Sequence, residues 1–192
     1  MPNLKTEITD AAEQERLWIQ AAQKDASAFE PIFQRYHDRI FNYVLRRTGS
    51  VNFAQDITAN TFFKALQHLP KFQWQGVSLS SWLFRIATNE INQSYRRQKR
   101  TIALTTEIGK TLSDNSKADA ALLELEESIE KNERYKRARS ALKQLKIKYQ
   151  AALTLRYFED KSIKEIAEIL ELSENTVKTH IRRGLIELRN RL

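Results

Sequence analysis

The sequence predicts an all-α protein made of two small helical domains joined by an acidic linker. Only 4 glycines and 3 prolines occur in 192 residues, whereas β-sandwiches and barrels need frequent turns. Apolar residues recur at three- and four-residue steps, which is the period of an amphipathic helix. Acidic and basic residues are also segregated, and this segregation divides the chain into three parts.

The charge pattern places an acidic block between two basic ones. Residues 1–100 carry 14 basic and 9 acidic side chains, residues 101–133 carry 3 and 8, and residues 134–192 carry 15 and 7. The predicted domains are therefore 12–100 and 134–192. Residues 101–133 are interpreted either as a solvated, flexible linker or as an acidic strap in a basic groove that nucleic acid otherwise uses. The overall charge of +8 is compatible with a polyanionic partner.

Four helices are predicted in the first block. Apolar side chains on one face define the second of them: Phe29, Ile32, Phe33, Tyr36, Ile40, Tyr43 and Val44. Gly and Ser are expected to end this helix, Pro to end the third, and Ser80 or Ser81 to cap the fourth. The predicted ranges are Glu13–Lys24, Ala26–Thr48, Asn52–Leu69 and Trp82–Arg97, with a loop at Lys71–Ser81.

The last 60 residues are predicted to hold a helix-turn-helix. Two helices, Tyr135–Leu145 and Tyr149–Tyr157, come before a short helix that Ser162 caps, Ile163–Leu170. A three-residue turn then leads to a longer helix capped by Ser173, which is the order of this motif. Glu171 is a departure, because many such turns have Gly there.

One face of the final helix is polar and basic, while the opposite face is apolar. Such side chains can donate hydrogen bonds to base edges and to phosphates in a major groove. We therefore predict a DNA-binding helix. Its candidate residues are Asn175, Thr176, Lys178, Thr179, Arg182 and Arg183.

Aromatic and basic side chains are interleaved from Phe72 to Arg100. Aromatic rings stack on unpaired bases and cations follow the phosphate backbone, so this pattern favours single-stranded nucleic acid. Leu83, Ile86 and Ala87 are interpreted as core residues. Trp82 fits either a core role or a stacking role, and both remain open.

Four segments together resemble the sigma-70 family, and within it the small extracytoplasmic-function (ECF) group. Their order and spacing carry the resemblance, which covers about residues 12–100 and 134–192. The segments are Ala26–Phe29 with Tyr36, Ala54–Thr58 with Thr61 and Phe62, Trp82–Asn89 with Tyr95–Arg97, and Tyr149–Tyr157 with Ser162–Leu170 and Ser173–Lys178. The resemblance implies a region 2 helical bundle and a region 4 helix-turn-helix.

The resemblance also implies a function in transcription initiation. Such a protein binds RNA polymerase core, reads the −35 promoter element as duplex with its final helix, and holds the −10 element as a single strand. An anti-sigma factor is implied as a further partner. The implied −10 residues are Trp74, Ser80, Trp82, Asn89, Arg96, Arg97, Lys99 and Arg100, and the implied polymerase-binding residues are Asp56, Ile57, Asn60, Phe63 and Lys64.

Two positions depart from the family pattern. Ala59-Asn60 stands where the family usually has Gln-Glu, which removes a carboxylate from the implied polymerase-binding face. Arg183-Gly184 replaces a frequent Arg-Ala, and a glycine inside a helix costs about 1 kcal/mol relative to alanine.

Other classes of protein fit less well. A LuxR-type response regulator would suit the final helices, but residues 1–100 lack the alternating strands of a receiver domain. An enzyme is disfavoured because the chain has no phosphate-binding glycine loop and no catalytic triad pattern. No cofactor or metal is expected, since Cys is absent and the three His lie far apart. The N-terminus lacks a signal peptide pattern and no apolar run could cross a membrane, so we expect a cytoplasmic protein with no membrane insertion.

Overall fold

The structure confirms the all-α prediction. A computed structural model describes residues 4–73, 78–106 and 133–192, and these ranges contain eight α-helices, two short 3-10 turns and no strand. The helices are α1 Leu4–Lys24, α2 Glu30–Thr48, α3 Val51–His68, α4 Leu79–Thr106, α5 Glu133–Lys143, α6 Ile147–Tyr157, α7 Ile163–Leu170 and α8 Glu174–Arg189. Most of the acidic block, residues 107–132, lies outside the described ranges.

Several helix ends follow the predicted signals. α2 ends at Thr48, and its C-cap is Gly49, whose φ of 67° is left-handed and whose N–H donates to the carbonyl of Leu45. Such a backbone suits glycine because it has no Cβ. Ser50 then caps α3 by accepting from the N–H of Phe53. α3 ends at His68, and Pro70 lies in the 3-10 turn that follows.

The prediction for the start and end of α4 was wrong. α4 begins at Leu79, and the residue before it, Ser78, accepts a hydrogen bond from the Ser81 N–H at 3.1 Å. The cap is therefore neither Ser80 nor Ser81, both of which are buried in the first turn. Leu79 is fully buried, so packing extends the helix towards its N-terminus. α4 also continues past Arg97 to Thr106, because no Gly or Pro interrupts it.

The core of the first block contains nearly all of the predicted α2 stripe. Tyr43 is fully buried, lies edge-on to Phe84 of α4 at 5.1 Å, and its hydroxyl is 2.7 Å from that of Thr88. Phe33 was expected in this stripe, but its side chain is 41% exposed. Phe33 lies at the edge of the stripe, beside a groove between α2 and α3.

The helix-turn-helix unit packs directly against the first block. Leu155 of α6 and Ile166 and Ile169 of α7 belong to the same apolar cluster as the residues of α2, α3 and α4. A second, smaller cluster lies within the unit itself, around Tyr149 and Leu153. Fully burying an aliphatic side chain contributes roughly 1.5–3 kcal/mol, so this shared cluster stabilises the packing of the helix-turn-helix unit against the first block.

Candidate nucleic-acid interface

The helix-turn-helix forms as predicted, with both of its caps. Ser162 and Glu165 make a reciprocal capping box at the start of α7, with bonds of 3.2 and 2.8 Å. Ser173 accepts from the N–H of Thr176 at 3.2 Å at the start of α8. Between them Glu171 adopts a left-handed conformation with φ 56°. Many such turns have Gly at this position because Gly adopts the left-handed conformation most readily.

The predicted DNA-binding residues share the outer face of α8. Asn175, Lys178, Arg182 and Arg183 are exposed, while Thr176 and Thr179 are half-buried. The Thr179 hydroxyl donates to the carbonyl of Asn175 at 2.9 Å. On the opposite face Val177 is fully buried. The face thus presents amide, hydroxyl and cationic groups, the set that reads base edges and contacts phosphates.

His180 is a residue near this face that sequence reasoning missed. Its ring lies against Tyr149 at 5.5 Å. Burial lowers the pKa of His180 below its usual value of 6.5, and the nearby charges of Lys148 and Arg183 lower this pKa further. The imidazole is therefore neutral at pH 7 and acts as part of the packing beneath the polar face.

Packing explains Gly184, one of the two departures from the family pattern. A Cβ at this position would lie 3.0 Å from a methyl carbon of Leu153 and 3.1 Å from the Cβ of Tyr149. α8 therefore approaches α6 more closely than an alanine would comfortably allow. The glycine lowers helix propensity but permits this close contact between α8 and α6.

The predicted −10 residues lie in α4 and in the segment just before it. Trp82 is half-buried with its ring 4.9 Å from that of Phe72, so it has both a packed side and an accessible side. Ser80 is buried. Trp74 lies outside the described residues, as does the side chain of Lys99. The exposed predicted residues are Asn89, Arg96, Arg97 and Arg100.

Arg85 is a second residue that the sequence did not single out. It lies three residues after Trp82 and four before Asn89, so the three share one face of α4. Its Nη2 donates to the carbonyl oxygen of Glu168 at 2.8 Å, and its Nη1 is 3.7 Å from the carboxylate of Glu171. Both partners belong to the helix-turn-helix unit.

The predicted polymerase-binding residues divide between the two faces of α3. Asp56, Asn60 and Phe63 are exposed at intervals of four and three residues, and Phe63 is 61% exposed. Ile57 is buried in the core. Lys64 is half-buried and forms an ion pair with Glu90 of α4. Among the predicted residues, the outward surface of α3 thus presents one carboxylate, one amide and one large aromatic ring.

Beside this surface lies a groove whose lining includes Phe33, a predicted core residue, and His37. It has a volume of about 500 Å³ and lies between α2 and α3. Phe33 contacts Phe62 and His37, with ring centres 4.9 Å apart in both pairs. Ala59 lines the same groove, so a longer side chain at this position would reduce the opening.

In the described ranges, no cluster of three or more His, Cys, Asp or Glu side chains could hold a metal ion. Within the same ranges, no helix is long and apolar enough to cross a membrane.

Comparison with known proteins then decides the family. The sigma-70 region 2 profile matches residues 32–101, and the sigma-70 region 4 profile matches residues 135–188. The ECF RNA polymerase sigma factor SigW of Bacillus subtilis is 32% identical over 177 residues, which cover 90% of this chain and 93% of SigW. The chain belongs to the ECF group of sigma-70 family sigma factors. The RNA polymerase sigma factor YlaC of the same organism is 31% identical, with 88% of this chain and 94% of YlaC covered.

Solved structures agree on the fold of this sigma factor. RpoE of Bartonella quintana, solved with the anti-sigma factor NepR, superposes with a TM-score of 0.65 at 18% identity and covers 85% of this chain and 95% of its own. CnrH, solved with the cytosolic domain of CnrY, gives a TM-score of 0.65 at 22% identity, with coverages of 92% and 95%. As a member of this non-enzymatic family, the chain binds RNA polymerase and directs promoter-specific initiation. The LuxR-type alternative is not favoured.

Proposed function

We propose that α8 reads the −35 element as duplex while α4 holds the −10 element as a single strand. The observation that carries the first part is the exposed face of Asn175, Lys178, Arg182 and Arg183 on a helix whose opposite side is buried. A helix of this width fits the major groove, which is about 12 Å wide. Three exposed cations on this face supply contacts to phosphates.

The −10 assignment is supported by the accessible side of Trp82 and the basic residues that follow it. A base flipped from the duplex can stack on an aromatic ring, which contributes roughly 1–3 kcal/mol. Asn89 and Arg96 are exposed further along α4. The amide offers both a donor and an acceptor to a base, and the guanidinium can bind the strand's phosphates.

We propose that the outer face of α3 docks on the clamp helices of the largest polymerase subunit. Exposed aromatic residues such as Phe63 are often major contributors to protein interfaces. Asp56 can pair with a basic residue of the partner, and Asn60 can donate a hydrogen bond. Because Ala59-Asn60 replaces the usual Gln-Glu, apolar contact through Phe63 and the adjoining groove has a larger part in docking.

In this proposal, the predicted domain 12–100 contacts the −10 element and polymerase, and the predicted domain 134–192 contacts the −35 element. Residues 101–133 are the linker between them. Each domain alone contacts only a small part of the promoter and binds it weakly. Core polymerase would hold the two domains at the promoter spacing, so that linked binding of both elements raises the overall affinity. Catalysis of RNA synthesis belongs to the polymerase and requires no catalytic residue or cofactor here. An anti-sigma factor is the proposed inhibitory partner, in keeping with the complexes in which RpoE and CnrH were solved.

A duplex-binding measurement tests the α8 assignment. Lys178→Ala and Arg182→Ala should each weaken binding of holoenzyme to a −35 duplex and reduce the salt dependence of the association constant by about one unit of slope. Lys24→Ala is the matched control, because Lys24 is an exposed cation on α1 far from this face in sequence. Unchanged affinity and slope in both α8 variants would exclude α8 as the recognition helix.

A further inference from the structure

The side-chain amide of Gln23 connects α1 to the turn that follows α3. Gln23 lies in the last turn of α1, and its Nε2 donates to the carbonyl of Leu69 at 3.1 Å and to that of Phe72 at 2.8 Å. The two acceptors are 46 and 49 residues further along the chain. An amide nitrogen has two N–H donors, so both are used here. The reversed amide would place its oxygen against two carbonyl oxygens, so these partners fix its orientation.

These two hydrogen bonds hold both ends of the 3-10 turn Leu69–Lys71. Leu69 is fully buried, and its carbonyl also accepts the N–H of Phe72 at 2.9 Å. At Phe72 the backbone changes to an extended conformation, with φ −67° and ψ 126°. Gln23 thus binds the carbonyl at which the turn begins and the carbonyl of the first residue after it. The backbone is therefore fixed at the point where the chain leaves the turn.

α1 is itself anchored to the first block. Ile19 and Ala22 are buried in the core cluster of that block. The hydroxyl of Tyr36 in α2 donates to the buried carboxylate of Glu15. Gln23 therefore extends from a helix whose position is set by packing, and its hydrogen bonds relate the position of this helix to that of the turn.

Phe72 in turn packs against one side of Trp82. The two ring centres are 4.9 Å apart with their planes inclined by 50°, and both rings pack against the core cluster. Phe72 thus covers part of the indole, while another part of Trp82 stays accessible. A side chain that is already ordered loses less conformational entropy when a ligand binds it. An indole held in this way is a better stacking surface for an unpaired base than a mobile one.

Gln23 is distant in sequence from the residues assigned to DNA. It comes before residue 32, where the match to the sigma-70 region 2 profile begins. Both of its N–H donors are bound to protein carbonyls. Its effect on DNA would therefore pass through Phe72 and Trp82 rather than through a hydrogen bond that the amide donates to the strand.

We propose that Gln23 is a positioning residue for the −10 strand: by holding the backbone of the turn, it keeps the Phe72 ring against Trp82 and presets the indole for stacking. This role rests on the proposed function of Trp82 and adds to it a tether from α1. Loss of the tether should weaken the single-stranded contact. The duplex contact should not change, because α8 makes it in the other domain.

Fluorescence anisotropy can measure strand binding by the holoenzyme. The probe is a labelled non-template strand that spans the −10 element of a promoter transcribed by this holoenzyme. Gln23→Met keeps the length of the side chain and removes both donors, so it should weaken binding about three- to tenfold. Gln23→Lys has three donors on a long stem, and it should restore binding to within about twofold of wild type.

Gln14 provides matched controls for the size and charge of these changes. It is an exposed residue of α1, about two and a half turns before Gln23, and so lies on the opposite side of the helix. Gln14→Met and Gln14→Lys should both bind the strand as wild type does. Circular dichroism should show that every variant is helical, and holoenzyme formed with each Gln23 variant should bind a −35 duplex as tightly as wild type.

A double-mutant cycle with Trp82→Ala tests whether Gln23 acts through the indole. Trp82→Ala alone should weaken strand binding by about 5- to 150-fold, the range that one stacked base contributes. Because Gln23 acts by presetting Trp82, adding Gln23→Met to Trp82→Ala should cause no further loss. A residue that merely stabilised the fold would instead give losses that multiply in the double variant.

Three results would overturn the positioning role and leave the proposed function of Trp82 intact. They are unchanged strand binding in Gln23→Met when Trp82→Ala weakens it, an equal loss of strand and duplex binding in folded Gln23→Met, and multiplied losses in the double variant. Unchanged strand binding in Trp82→Ala would reject the proposed function of Trp82 and the positioning role together.

Discussion

At the scale of single residues, the least predictable positions are those whose role depends on distant partners. Arg46 and Arg47 both follow from the sequence as cations at the end of α2. In the structure Arg46 pairs with Glu159, 113 residues later, while Arg47 is fully buried and donates to the hydroxyl of Tyr43 at 3.0 Å. Two neighbouring arginines of equal local propensity thus serve different purposes, and only tertiary contacts distinguish them.

Glu171 gives a prediction about backbone strain. A non-glycine residue in the left-handed region costs about 1–2 kcal/mol, so Glu171→Gly should raise the free energy of unfolding by about 1 kcal/mol in spite of the lost contact with Arg85. Glu171→Ala is the control, since it removes the same carboxylate and keeps the strained backbone. Denaturant unfolding of the three proteins measures the difference. A glycine variant no more stable than the alanine variant would contradict this account.

His180 gives a prediction about pH. Its pKa is lower in the folded protein than the ordinary value of 6.5, so the unfolded chain binds the proton more readily. The contribution of neutral His180 to stability is therefore fully present above pH 6.5 and is lost as the pH falls from there through the folded pKa. Unfolding measured from pH 7.5 to 5.5 should show this loss, and His180→Gln should flatten the profile. An identical profile in the variant would exclude His180 as its source.

At the scale of secondary-structure elements, short-range signals located most helix ends. Ser162 and Ser173 cap their helices because each hydroxyl lies three residues before an N–H that needs a partner. The same rule misplaced the start of α4, where three serines compete and the burial of Leu79 decides among them. Caps are thus predictable where one candidate is present, and packing selects among several.

Gly184 yields a prediction about the packing of α8 on α6. Gly184→Val should destabilise the helix-turn-helix by about 1–3 kcal/mol, because its side chain would overlap Leu153 and Tyr149. Ile186→Val, two residues later at a position 54% exposed, should change stability by less than about 0.5 kcal/mol. Thermal unfolding of both variants compares the two sites. A valine tolerated equally well at 184 would mean that the close approach of the helices does not constrain this position.

At the scale of the whole molecule, charge and periodicity were enough to predict two helical parts and the outer face of α8. They could not predict Arg85 or Phe33 as parts of functional surfaces. Arg85 joins the proposed −10 surface only through its position between Trp82 and Asn89, and Phe33 is exposed at a groove between α2 and α3. Both facts depend on how helices are arranged in space, which a one-dimensional pattern does not contain.

Run-off transcription with purified core polymerase, on genomic promoter fragments with and without this protein, measures whether the protein directs initiation. We expect initiation at discrete start sites only when the protein is present, and weaker initiation with Arg182→Ala. Upstream sequences shared by the active fragments should then contain both promoter elements. A folded protein that bound duplex DNA yet supported no initiation on any fragment would contradict its function as a sigma factor.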